Sequence, residues 1–296
     1  MASHIEIQAP VAAVGNQAAL RALEVFHEVN RSCTRFDPSS PLMRCNSRPD
    51  RWHRVPPSLL KALQAALEAH LETARSFDPR VHDALVSLGY DRSFALGTND
   101  EGEPAAAPRT GRWTPRFLPR LSMVHLGGER VDLGGIGKGL ALRWAREVLL
   151  DEASDFLIAA GGDVVAAGGP SPDSAWRIAV EDPAGEEEPV AVLKARDCAV
   201  ATSSVRVRSW KHLGEPVHHL IDPRTGRPGG EGLLSVTVLH PDPAWAEIWA
   251  KSLFLAGPEY LSATASRHGI TALWVNCRGE LKVNVLMRPF VVWTSR

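Results

Sequence analysis

Apolar positions along the chain alternate between two periods. Leu20, Leu23, Phe26 and Val29 fall roughly on one helical face, so a helix is expected from Asn16 through Ser32. A second runs from Ser58 to about Phe77, with Leu59, Leu60, Leu63, Leu67 and Leu71 as its stripe; Asp78 before Pro79 avoids the helical region and stops it. Leu140 to Leu150 is a third. Asp242-Pro243 pairs a good N-cap with a good first helical residue and opens a fourth, to about Leu255. Pro258 opens a fifth, which Gly269 ends. Between them lie short apolar or alternating runs that read as strands: His4–Ala9, Phe156–Ala159, Val164–Ala167, Trp176–Val180, Val190–Leu193, Cys198–Thr202 and Ser235–Leu239. Ile270–Asn276 and Leu281–Val285 form a hairpin across CRGE. No regular βαβ repeat connects these elements, so the expected fold is α+β, with mixed sheets and packed helices. Residues 97–119 carry the poorest pattern and are expected to be an exposed, flexible loop.

Composition narrows the picture. The 296 residues suffice for one large domain or two intimate lobes; a single domain over 1–296 is expected. A formal net charge of −1 argues against a nucleic-acid platform, which usually carries a basic face. Cys33, Cys45, Cys198 and Cys277 are scattered and form no CxxC or Cys/His cluster, which argues against structural zinc. The first residues lack a basic start and a sustained apolar run, and no stretch approaches a membrane span. A cytoplasmic protein is the expectation.

Four stretches carry candidate chemistry. VDLGGIGKGLA, residues 131–141, is a glycine-rich turn leading into a helix N-terminus, where free N–H groups favour an anion, with Lys138 at the turn. It matches neither standard phosphate-loop pattern, and a tight strand-to-helix connection explains it equally well. VHHLIDPRTGRP, residues 217–228, places His219 three residues before Asp222 in strong turn chemistry. A histidine there is a natural general base, with Asp222 orienting the loop or the ring; a structural turn is the bland alternative. Thr202, Ser203 and Ser204 follow a strand and either bind phosphate oxygens or cap a turn. Glu247 and Lys251 share a helix face at i and i+4, which out of context is a surface ion pair.

Taken together and in order, RFDPSSPLMRCN, SFDPRVHDALVSLGYD, VDLGGIGKGLA, IAAGGDVVAAG, ATSS, HHLIDPRTGRP and SVTVLHPDPAWAEIWAKSLFLAG resemble the ApbE family, the FAD:protein FMN transferases, over about residues 30–260. The resemblance implies an ApbE-like fold and an enzyme that splits FAD at its diphosphate. FMN passes to a Thr or Ser hydroxyl of a target protein, and AMP leaves. Some members hydrolyse FAD to FMN and AMP, and a non-catalytic FAD-binding protein is a third reading. By the same resemblance His219 is the base, and Phe36, Ser76, Phe77, Asp78, Asp132, Lys138, Ile221 and Thr202 lie at cofactor positions. Gly135, Glu247 and Lys251 fall at the magnesium site. There the family usually reads Ala-Asp-Ala-x-x-Thr-Ala, so Glu247 and Lys251 stand where Asp and Thr are expected. Either Mg2+ persists with fewer protein ligands, or the Lys251 ammonium replaces part of its charge. The family's Met-Gly-Thr segment on the first strand is also replaced, by HIEIQAP.

Overall fold

This computed structural model describes residues 4–9, 15–90, 111–171, 173–206 and 208–295. Its first half runs β1 (Ile5–Gln8), α1 (Asn16–Cys33), α2 (Pro41–Ser47), β2 (Trp52–Arg54), α3 (Pro57–Glu72), α4 (His82–Ser87), β3 (Arg116–Leu118), β4 (Met123–His125) and α5 (Gly137–Leu150). There follow β5 (Phe156–Ala160), β6 (Asp163–Ala167), β7 (Trp176–Val180), β8 (Ala191–Ala195), β9 (Cys198–Ser204), β10 (Ser209–His212), β11 (Glu215–His218), β12 (Ile221–Asp222) and β13 (Arg227–Pro228). The chain closes with β14 (Leu233–His240), α6 (Pro243–His268), β15 (Thr271–Asn276), β16 (Leu281–Val283) and β17 (Val291–Thr294). Helices and mixed sheets make this an α+β fold.

Two compact units are present, each discontinuous in sequence. The first comprises Met1–Ala2, His27–Gly137 and Arg208–Gly229; the second, Ser3–Phe26, Lys138–Val207 and Gly230–Arg296. The second is built on a seven-stranded sheet of order β1-β5-β6-β9-β14-β15-β16, every neighbouring pair antiparallel. A three-stranded sheet, β17-β8-β7, shares a core with it, including Leu157, Val180, Leu193, Val200, Leu273 and Met287. The first unit carries the small sheet β2-β4-β3, two hairpins (β10-β11 and β12-β13), and a cluster of Leu85, Leu88, Tyr90, Trp210, Val217 and Ile221.

Several sequence expectations need correcting. On α1 the buried stripe is Ala18, Ala22, Phe26, Val29 and Cys33, whereas Leu20 is 65% exposed. Two residues from both Ala18 and Ala22, Leu20 points about 200° away from that stripe. Helix α3 ends at Glu72, not near Phe77, because Ala74 and Arg75 both adopt positive φ (49° and 74°). Its buried face passes through Ala66, Ala69 and His70, which leaves Leu71 exposed. The two helices expected either side of Pro258 are one element, α6, interrupted at Gly257 (φ 72°). Of the loop expected at 97–119, residues 97–110 lie outside the described residues; 111–115 are irregular and largely exposed, as expected, but the rest of the segment is not a plain loop. Trp113 is 1% exposed, and Arg116–Leu118 is strand β3.

Candidate functional site

The candidate site residues of the first unit are held by three networks. In the RFDP segment, Arg35 donates from Nε to Asp132 Oδ2 (2.8 Å) and from Nη1 to the Tyr90 carbonyl. Its guanidinium lies over the rings of Phe36 and Tyr90, at 4.3 and 4.4 Å. The Asp132 carboxylate also accepts from the Gly134 N–H (2.8 Å), and the Asp132 N–H donates to Pro79 O (2.7 Å). Asp132 is thereby a buried anchor of the glycine turn, while Phe36, 37% exposed and packed edge-on against Tyr90, presents a ring outward.

The second network fixes Ser76, Phe77 and Asp78. His70, fully buried, lies 3.2 Å from the Phe77 carbonyl through Nδ1 and accepts from the Trp113 N–H through Nε2 (3.1 Å). Burial pushes its pKa below the usual histidine value. The neutral ring with its proton on Nδ1 satisfies both partners at once. Asp78, also buried, grips the Arg80 guanidinium and accepts from the Arg80 N–H (2.9 Å), while the Ser76 hydroxyl donates to Thr73 O (2.9 Å). Sequence reasoning missed Arg35 and His70; each is tied to partners remote in sequence.

The third network is the HHLIDPRTG loop. Asp222 accepts from the Arg224 backbone N–H (2.9 Å) and from Nε and Nη2 of its guanidinium (3.0 and 2.7 Å). The Asp222 carbonyl takes the Gly226 N–H (2.8 Å), closing the turn. Of the two roles open to Asp222, these bonds serve the one of holding the loop. Ile221 is buried beside it in the apolar cluster. The adjacent histidines are held differently. His218 Nδ1 accepts from the Leu220 N–H (3.3 Å), and burial lowers its pKa to about 4, so it is neutral. His219 Nδ1 sits 3.3 Å from the Arg208 carbonyl, which can only accept. In the neutral ring the proton is therefore on Nδ1 and the lone pair on Nε2.

A charged cluster occupies the second unit. Strands β5 and β6 are joined by Gly161-Gly162, both at positive φ (57° and 90°), as the type I′ turn of a two-residue hairpin requires. That turn sets Asp163 at the head of β6, 2% exposed. One carboxylate oxygen pairs with Lys138, at the start of α5; the other accepts the Thr202 N–H on β9 (3.1 Å). The Thr202 hydroxyl meets that of Thr237, its register partner on β14, at 2.9 Å. Glu247, on α6, accepts the Gly139 N–H (2.8 Å). Burial raises its pKa and Asp163 adds to this, while Lys138 and Lys251 oppose the rise.

Glycine serves here in one specific way. A Cβ on Gly139 would lie 2.5 Å from Ala244 Cα and 2.6 Å from Pro243 O, so only glycine lets α5 approach the start of α6 this closely. None of Gly134, Gly135, Gly137 and Gly139 has positive φ, so close packing, not a left-handed backbone, is what glycine supplies here. Asp163 escaped the sequence reading, although GGD after a strand was the available signal.

Lys138, Thr202, Glu247 and Lys251 thus belong to one cluster with Asp163. Phe36 and Asp132 share another network, Ser76–Asp78 a third, and His219, Ile221 and Asp222 a loop. Magnesium fits the residues at its implied position poorly. Lys251 offers an ammonium where an oxygen donor is needed, and a Glu247 oxygen is engaged by the Gly139 amide. Among the described residues no group of three or more His, Cys, Asp or Glu is placed to hold a metal ion.

Comparison with known proteins points one way. The sequence profile of the ApbE family matches residues 1–274. The FAD:protein FMN transferase of Klebsiella pneumoniae is 27% identical over 257 residues, 81% of this chain and 71% of that protein. The Escherichia coli K12 protein of that name is 30% identical over 152 residues, 51% of this chain, and the match spans less than half of that protein, 43%. Among solved structures, the ApbE protein of Thermotoga maritima superposes with a TM-score of 0.85 at 26% identity, covering 97% of this chain and 96% of that one. The flavin transferase ApbE of Vibrio cholerae, at 21% identity and a TM-score of 0.78 over 98% of this chain and 96% of that one, shares the fold.

Proposed function

We propose that this chain, which belongs to the ApbE family, is an FAD:protein FMN transferase that moves FMN from FAD to a Thr or Ser hydroxyl of a target protein. The reading is supported most directly by the pinned ring of His219, whose Nδ1 contact with the Arg208 carbonyl fixes the tautomer that carries its basic lone pair on Nε2. The acceptor oxygen forms a bond to the FMN phosphorus, and its proton passes to His219 Nε2. The bond from that phosphorus to the bridging oxygen breaks, and the oxygen leaves with its electron pair on AMP. One phosphodiester replaces one phosphoanhydride, so atoms and charge balance.

His218, although adjacent, does not take this role. Its Nδ1 is occupied by the Leu220 amide, and burial makes it a weak base. Phe36 offers an exposed ring for stacking on an aromatic ring of FAD. Asp222 acts through the loop it closes and is a positioning residue.

His219→Ala should lower AMP release from FAD on the order of 10²–10⁴-fold, the usual weight of a general base, while FAD still binds. Chromatography of AMP and fluorescence titration of FAD read the two quantities. Undiminished AMP release in the variant would remove His219 from the reaction.

A further inference from the structure

We propose that Lys251 takes the place of a divalent cation in this protein, so that its diphosphate chemistry runs on lysine ammonium charge without a bound metal. The inference rests on the phosphoryl-transfer reading above and concerns the residues that meet the charge.

The charge count of the cluster comes first. Asp163 and Glu247 bring two carboxylates, Lys138 and Lys251 two ammonium groups, so the ionised quartet is neutral with no added ion. Both carboxylates are in use: Asp163 by Lys138 and the Thr202 amide, Glu247 by the Gly139 amide. A magnesium ion demands near-octahedral oxygen ligation. It would have to share these carboxylates with their present partners and sit beside two like charges, which repel it. Lys251 lies one helical turn after Glu247 on α6, and its charge is felt at the Glu247 carboxylate. An ammonium is a compact point charge with three donors, suited to phosphate oxygens.

Lys138 and Lys251 bring the two positive charges of the cluster, and Lys251 is the one that stands at the implied metal position. Substituting Lys251 by Thr would remove one positive charge and supply a hydroxyl oxygen, reversing both features that oppose a metal.

The test uses the full chain with Mn2+ as the metal probe, followed by electron paramagnetic resonance, and AMP release from FAD measured in EDTA and in Mg2+. In the wild type, AMP release should differ less than about twofold between EDTA and Mg2+, and Mn2+ should stay free. Lys251→Thr should gain Mn2+ binding, and its AMP release should become at least tenfold dependent on Mg2+. Lys251→Met, which keeps length without charge, should lose on the order of 100-fold under every condition, the weight of one electrostatic contact to a developing oxyanion. Lys251→Arg should retain most of the rate. Thermal melts of the variants separate loss of charge from loss of fold.

A wild type that loses more than tenfold in EDTA and recovers with Mg2+ overturns the proposal. So does stoichiometric Mn2+ binding that Glu247→Gln abolishes. If no AMP forms under any condition, the transferase reading fails instead, and the Mn2+ measurement still decides the metal question.

Discussion

The HHLIDPRTG loop and the Lys138–Asp163–Glu247–Lys251 cluster reach their geometry by opposite routes. In the loop, Asp222 closes on Arg224 and Gly226, two and four residues away, and His219 is set by the Arg208 carbonyl eleven residues upstream. In the cluster, Asp163 meets Lys138 from 25 residues away and Thr202 from 39, and Glu247 meets Gly139 from 108. A local network is written as a motif, because turn chemistry fixes neighbours at fixed offsets. A network assembled by a sheet and two helices leaves only scattered single residues in the sequence. The loop depends on its own composition, whereas the cluster depends on the packing of the second unit.

That contrast can be broken at the cluster with the largest effect. Asp163→Ala would leave Lys138 and the Thr202 amide without their shared acceptor inside the unit. Losing one partner of a buried pair costs about 3 kcal/mol, and thermal or urea unfolding should register that loss. Unchanged stability would mean that the cluster is not held by Asp163.

Gly139→Ala sharpens the dependence on packing. The added methyl must displace the backbone of Pro243 and Ala244, with an expected cost of roughly 1–3 kcal/mol and a disturbed Glu247–Gly139 bond. Gly137→Ala is the control: nothing lies within 4 Å of its Cβ, so a change within about 0.5 kcal/mol is expected. Equal effects at the two glycines would refute the close helix approach as the reason for Gly139.

The effect at the loop depends on pH. His218 binds its proton near pH 4 in the folded protein and near the usual 6.5 when unfolded. Between those values the unfolded chain takes up more protons, so the contribution of His218 is full above about pH 6.5 and is lost as pH falls towards 4. Melts at pH 7 and pH 5 should therefore differ more in the wild type than in His218→Gln. An identical pH response in both proteins would place the titration elsewhere.

Much of the framework was legible. Asp242 accepts from the Ala244 and Trp245 amides, the N-cap its sequence position suggests, and Gly269 ends α6 at φ 64°. The β5–β6 and β15–β16 hairpins fall where alternation and turn residues placed them. The strands that escaped, such as β2, β3, β4, β12 and β13, are two or three residues long, too short to show a period. Leu20 and Leu71 misled because an apolar residue need not be buried, and the true faces used alanines and a histidine instead. Arg35 and Asp163 were invisible for the reason the cluster was: their meaning lies in partners far along the chain.

The central claim is that the protein transfers FMN to a protein hydroxyl. Incubation of the full chain with FAD and a Thr-bearing acceptor protein, followed by mass spectrometry, reads it directly. The acceptor should gain the mass of FMN less one water on its Thr, in equal number with the AMP released, and a Thr→Val acceptor should gain nothing. Free FMN with an unmodified acceptor, or FAD that remains whole, would contradict it.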